Sequence, residues 1–212
     1  MIWYILITIG LLGCSWPILC YPLLLQLLPT KRVSFSAIHP AAGVTVIIPA
    51  YNEMAAIRQK IEQVANQLSH RPHEIIVADD GSTDQTAAIV NQLRVVMPQV
   101  QLLSLARQGK AAALNVAWRQ ARYDIVIVTD ANAKLYDQSL ELLIQPLSDP
   151  RIGVVRGRFL PQTQANSAGS VGAGSYQGFN HHLFLLESDR GVLHVAGGSI
   201  QAFRRSIHNP DR

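Results

Sequence analysis

The chain has 212 residues, a formal net charge of +4 and only 15% charged residues. Its basic residues are scattered rather than blocked, which points to phosphates or a lipid surface and excludes nucleic acid as the expected partner. Cys14 and Cys20 both fall in the apolar N-terminal run, so the rest of the chain offers neither a disulfide nor a cysteine zinc site.

From Met1 to Thr30 there is no Asp, Glu, Lys, Arg or His. That run exceeds the ~20 residues a helix needs to cross a bilayer, and residues 1–30 are expected to form a transmembrane anchor. A signal peptide would want a charged start and a small-x-small cleavage site, and neither stands here. Pro17 and Pro22 are expected to kink or break the span, which leaves open one tilted helix and a helix with a re-entrant tail. Lys31 and Arg32 follow at once and place the remainder on the cytoplasmic side. Residues 31–41 read as a juxtamembrane linker, and 42–212 as one domain.

"VTVIIPA" (44–50) and "EIIVADD" (74–80) are β-branched runs closed by a proline and by two acids. Between them Ile57, Ile61, Val64 and Leu68 recur at helical spacing. The alternation continues. "QTAAIVNQLRVV" reads as a helix capped by Thr83 or Asp84, "VQLLSLA" (100–106) as a strand, "KAAALNVAWRQA" as a helix and "DIVIVTD" (124–130) as a strand. A helix over 137–147 and a strand over 152–158 follow. Residues 162–178, rich in Gly, Ser, Asn and Gln, read as a loop, and a last element surrounds 194–206. The pattern predicts an α/β domain with a mostly parallel sheet covered on both faces.

Open parallel sheets bind ligands beyond the carboxyl ends of their strands. Three such ends are polar: Pro49, Ala50, Tyr51, Asn52 and Glu53; Asp79, Asp80, Gly81 and Ser82; Asp130, Ala131 and Asn132. Adjacent Asp79 and Asp80 repel each other, so one is expected to meet a ligand or donors and the other turn amides. "RQGKAAALN" puts Arg107, Gly109 and Lys110 at a helix start, where free amides attract phosphate. It contains no P-loop. Asp130 ends a nearly pure apolar strand, and a divalent cation with phosphate oxygens would suit it. A phosphotransfer receiver also pairs acids with a metal, but its nucleophilic Asp belongs at the first strand, where "PAYNE" stands.

In this order, "VTVIIPAYNE", "EIIVADDGSTD", "RQGKAAALN", "IVIVTDAN" and "AGGSIQAFRR" resemble the family 2 glycosyltransferases, in their membrane-bound branch of cellulose, hyaluronan and poly-N-acetylglucosamine synthases. The resemblance covers roughly residues 42–206. It implies a GT-A type nucleotide-sugar-binding domain with a mostly parallel mixed sheet, and inverting transfer from a UDP-sugar to a polysaccharide or lipid acceptor. It also implies Mg²⁺ or Mn²⁺ held at Asp130 and Asn132, the D-x-D position. By the same resemblance Pro49, Ala50, Tyr51 and Glu53 line the nucleoside, Asp79 and Asp80 hold uracil and ribose, and Lys110 lies near the nucleotide. Gly197, Gly198 and Ser199 would leave room for the acceptor. The chain departs from the family in the acidic pair and the Q-x-x-R-W motif expected after the "AFRR" segment. The expectation is therefore a donor-binding portion lacking the general base, completed by a further C-terminal portion or a second subunit, that binds UDP-sugar but transfers poorly. The alternative is a membrane-tethered scaffold that binds nucleotide-sugar without turnover.

Overall fold

The computed structural model describes residues 1–30, 42–157, 170–191 and 198–207. Contacts group Met1–Val33 with Pro161–Ala196 in one unit, and Ser34–Leu160 with Gly197–Arg212 in another. The expected linker 31–41, Gly197 and residues 208–212 lie outside the described residues.

In the second unit the β-branched runs become β1 (Val44–Ala50), β2 (His73–Asp79), β3 (Val100–Ser104) and β4 (Ile125–Thr129). The helices between them are α3 (Ile57–Gln67), α4 (Thr86–Val96) and α5 (Lys110–Gln120). Asp80 and Asp130, read as the last residues of their strands, stand one residue beyond them. The helix expected over 137–147 is α6 (Ser139–Ile144) followed by a 3₁₀ turn, Gln145–Ser148, where Pro146 offers no amide to continue the α-helix. The late strands are β5 (Val154–Arg156) and β6 (Ile200–Arg204).

The six strands lie in the order β3-β2-β1-β4-β6-β5. β1 pairs in parallel with β2 and β4, and β2 with β3, whereas β6 runs antiparallel between β4 and β5. Mostly parallel and mixed, this is the expected sheet. Side chains alternate across it. Val44, Val46 and Ile48 enter a core with Ile57, Ile61 and Val64 of α3, Val90 of α4 and Leu140 and Ile144 of α6. Ile47 and Val126 enter the other core with Ala113, Ala117 and Trp118 of α5. Burying such side chains contributes roughly 1.5–3 kcal/mol each, so both faces stabilise the sheet. Successive connections carry the chain from β1 outward to β3 and then back across to β4. The reversal leaves a crevice between the carboxyl ends of β1 and β4.

The first unit differs from expectation. Its apolar run forms α1 (Ile2–Ser15), a π-helical segment Trp16–Cys20 and α2 (Tyr21–Leu27). Among the described residues no helix is long and apolar enough to cross a membrane. At 1.5 Å per residue α1 extends only about 21 Å, against the ~30 Å of a bilayer core. Pro17 and Pro22 bring no amide hydrogen to the helix ladder, and the wider π turn lies where those bonds are lost. The region expected as a loop over 162–178 is corrected from residue 170 onward, where α7 (Ser170–Arg190) begins. Its start shows no apolar period, but helix-forming residues such as Leu183, Leu185, Leu186 and Glu187 follow in the same element. α2 packs on α7, and the Tyr21 hydroxyl donates to Glu187 Oε1 at 2.8 Å.

Candidate functional site

A cavity of about 300 Å³ opens at the crevice between β1 and β4. Pro49, Ala50, Tyr51 and Glu53 line it from the β1 end, and Asp130, Ala131 and Asn132 from the β4 end. Asp80, Arg107 and Lys110 complete the wall. Most of the expected donor-site residues therefore meet in one place. Asp79 does not line the cavity, Gly197 is outside the described residues, and Gly198 and Ser199 lead into β6 beside β4. There the Asp130 amide donates to the Ser199 carbonyl at 3.0 Å. Gly198 has a φ of 150°, a backbone conformation that glycine adopts without strain and L side chains rarely enter.

The two adjacent acids separate their partners as electrostatics demands. Asp79 accepts from the Ser82 amide at 3.2 Å and from the Ser82 hydroxyl, and so closes its own turn. Asp80, only 3% exposed, accepts from the Gln108 amide at 2.8 Å, from the Gly109 amide at 2.9 Å and from the Arg107 guanidinium. The Gln108 amide does most to hold its carboxyl below the usual carboxylate value, against the opposing effect of burial, with the Gly109 amide and Arg107 adding to it. Thus the amides just before α5, expected to face phosphate, are occupied by Asp80. Attraction for an anion falls instead to the side chains that this latch presents. The Arg107 guanidinium lies 3.5 Å above the centre of the Tyr51 ring, a cation–π contact. Lys110, the first residue of α5, reaches Asp130 Oδ1 at 2.5 Å.

The β1 and β2 ends are tied together by backbone-directed bonds. The Asn52 amide donates to Ser82 Oγ at 2.9 Å, the Glu53 amide to Thr86 Oγ1 at 2.9 Å and the Met54 amide to Asp84 Oδ2 at 3.1 Å. Asp84 Oδ1 also accepts the Thr86 amide at 2.9 Å, but the cap position of α4 is held by Gln85, so neither Thr83 nor Asp84 is the expected cap. These bonds fix the loop that carries Tyr51 and Glu53.

Sequence reasoning missed Lys60. It is 2% exposed and donates through Nζ to the carbonyl of Ala133, whose amide in turn donates to the Asp130 carbonyl at 3.2 Å. Two helical turns on, Gln67 donates to the Tyr136 carbonyl at 2.9 Å and accepts the Leu140 amide at 3.1 Å. One face of α3 thereby holds the whole β4–α6 connection. The signal was present: Lys60 lies three residues after Ile57 and four before Val64, inside the buried stripe of α3. Burial pushes its ammonium down from 10.5 to about 8, against the pull of the Asp130 carboxylate. Because the folded value is below the free one, stability rises as pH climbs from about 8 toward 10.5. Lys60→Met should flatten that rise, removing roughly 3 kcal/mol of pH dependence, as melting temperatures over this range will show.

Asp130 and Asn132 suit a hard divalent cation. They offer a carboxylate and an amide oxygen on one wall of the cavity, and such a cation completes its shell with phosphate and water oxygens. Among the described residues there is no cluster of three or more His, Cys, Asp or Glu that could hold a metal by itself. The donor set is incomplete without a ligand that brings its own oxygens.

Comparison with known proteins gives a consistent result. The sequence model of glycosyl transferase family 2 matches residues 45–210. A poly-beta-1,6-N-acetyl-D-glucosamine synthase of Staphylococcus aureus is 26% identical over 165 residues, covering 77% of this chain and 40% of that protein. A beta-monoglucosyldiacylglycerol synthase of Synechocystis sp. is 33% identical over 123 residues, covering 56% of this chain and 26% of that one. A mannosyltransferase of Pyrobaculum calidifontis, solved in complex with GDP-Man and Mn²⁺, superposes with a TM-score of 0.73 at 27% identity, over 96% of this chain and 55% of that chain. The chain thus spans less than half the length of the two synthases and about half that of the mannosyltransferase chain.

Proposed function

This chain belongs to glycosyl transferase family 2, and we propose that its cavity binds the nucleotide and diphosphate of a sugar donor for inverting transfer to a polysaccharide or lipid hydroxyl. The observation that carries this reading is the convergence of Tyr51, Arg107, Lys110, Asp130 and Asn132 on one cavity at the reversal of the sheet. Tyr51, 41% exposed with Arg107 over its ring, offers an aromatic surface for a base. Arg107 and Lys110 direct fixed positive charge at a diphosphate, where it stabilises the charge that develops as the sugar departs. Mn²⁺ or Mg²⁺ held by Asp130 and Asn132 would supply further charge to the same leaving group. The donor sugar is carried by UDP in our reading. The related mannosyltransferase bound to GDP-Man makes GDP the rival to test.

The attacking hydroxyl needs a general base within hydrogen-bond reach. Of the three acids lining the cavity, Asp80 and Asp130 are each held by a cation, and Glu53 stands at the β1 end that this reading assigns to the nucleoside. This favours a second reading in which the chain by itself binds donor without efficient transfer. Titrating the purified chain with UDP- and GDP-sugars in Mn²⁺, and following sugar release in parallel, separates the two. Tight binding with slow hydrolysis is expected, and no binding of either donor contradicts the proposal.

The N-terminal helices fit a lipid surface. Their large apolar side chains are exposed, Trp3 by 73%, Tyr4 by 78% and Leu27 by 80%. We place α1 and α2 in or on the cytoplasmic face of a membrane. Flotation with vesicles should retain the full chain, and deletion of residues 1–28 should release it.

A further inference from the structure

At the turn that carries the metal position, one ammonium group meets the carboxylate and a second meets the backbone. Lys110 Nζ bonds Asp130 Oδ1 at 2.5 Å, and buried Lys60 holds the Ala133 carbonyl in the same turn. The other residue of the motif is Asn132, which brings no charge. A divalent ion approaching alone must displace Lys110 and stand against Lys60, and of the motif's two residues only Asp130 brings charge in its favour. A diphosphate meets the opposite field, because both lysines and Arg107 attract it and it brings the oxygens the metal lacks. We propose that Lys60 and Lys110 make this cavity bind the nucleoside diphosphate first and the divalent cation second.

In this order Lys110 exchanges its bond to Asp130 for one to a phosphate oxygen, and Asp130 is then open to the cation. The inference rests on the reading of the cavity as a nucleotide-sugar site, and thermodynamic reciprocity makes it measurable without turnover. If nucleotide raises metal affinity, metal raises nucleotide affinity by the same factor.

The test measures manganese by electron paramagnetic resonance of the free ion, and UDP and GDP by calorimetry in EDTA. The wild type should take one of the two nucleotides in EDTA and should bind manganese at least about tenfold more tightly once that nucleotide is present. Lys110→Met should tighten manganese binding measured without nucleotide by about tenfold and weaken nucleotide binding in EDTA by a similar factor. Lys60→Met should move both in the same directions. If that buried substitution fails to fold, Lys110→Met, at a half-exposed residue, decides alone. Manganese bound as tightly without nucleotide as with it, or unchanged by Lys110→Met, overturns the proposal. Nucleotide bound only in manganese overturns the order and leaves the site standing. Nucleotide bound under neither condition removes the site reading together with the order.

Discussion

Asp130→Asn should abolish metal-dependent nucleotide binding, whereas Asn132→Asp should tighten it. Asp130 is the only carboxylate in the motif, and ligand charge is what sets the affinity of an oxygen site for a hard cation. Removing it leaves two neutral amide oxygens between Lys60 and Lys110, and manganese affinity should fall on the order of a hundredfold. Restoring a second acid at residue 132 should raise affinity by about tenfold, with part of the gain offset by repulsion from Asp130. Neither change should unfold the protein. The Lys110–Asp130 pair is partly exposed, with side chains 56% and 30% accessible, and such pairs contribute about 0–1 kcal/mol. Calorimetric titration of nucleotide with and without manganese checks both variants. Equal effects of the two would show that the ligand roles are misassigned.

The second large effect is expected at Asp80, through the loop it holds rather than through contact with a base. Asp80→Asn presents an amide nitrogen to some of the donors that the carboxylate now accepts, namely the Gln108 and Gly109 amides and Arg107. Buried donors left without acceptors destabilise the loop. Gly109, at a φ of 97°, then loses the bond that fixes its unusual backbone. Arg107 and Lys110 move with it, so nucleotide affinity should fall about tenfold or more. The melting temperature should also fall. Crucially, UDP and GDP should weaken in the same proportion, since the loop serves the shared diphosphate. A selective loss of UDP would instead show direct recognition of uracil by Asp80. Acid should mimic the substitution. The carboxyl is depressed in the folded state, so its contribution is complete above the unfolded value near 3.8 and is lost as pH falls through the lower folded value.

Much of this architecture was legible in the sequence because its signals are local. β-Branched runs marked β1, β2 and β4, the Ile57, Ile61 and Val64 stripe marked α3, and polar residues at strand ends marked most of the cavity wall. The pairing of β6 between β4 and β5 was not legible, since partners such as Val126 and Phe203 are brought together only by the tertiary fold. α7 was missed because its glycine- and serine-rich start carries no apolar period. Lys60 stands in the apolar stripe of α3, but its bond to the Ala133 carbonyl forms only in the tertiary fold. The bonds from the Gln108 and Gly109 amides to Asp80 were not legible either, since the chain returns to that carboxylate only in the tertiary fold. The N-terminal run shows the opposite failure: composition alone suggested one span, and two prolines divide it.

The central claim is that Asp130 and Asn132 present a cation and a nucleoside diphosphate to each other at the crevice between β1 and β4. Anomalous diffraction from crystals of the chain grown with manganese and UDP or GDP tests it most directly. A manganese peak within roughly 2.0–2.6 Å of Asp130 and Asn132 oxygens, with the diphosphate between it and Lys110, is predicted. Bound nucleotide with manganese placed away from both residues, or nucleotide outside this cavity, would contradict it.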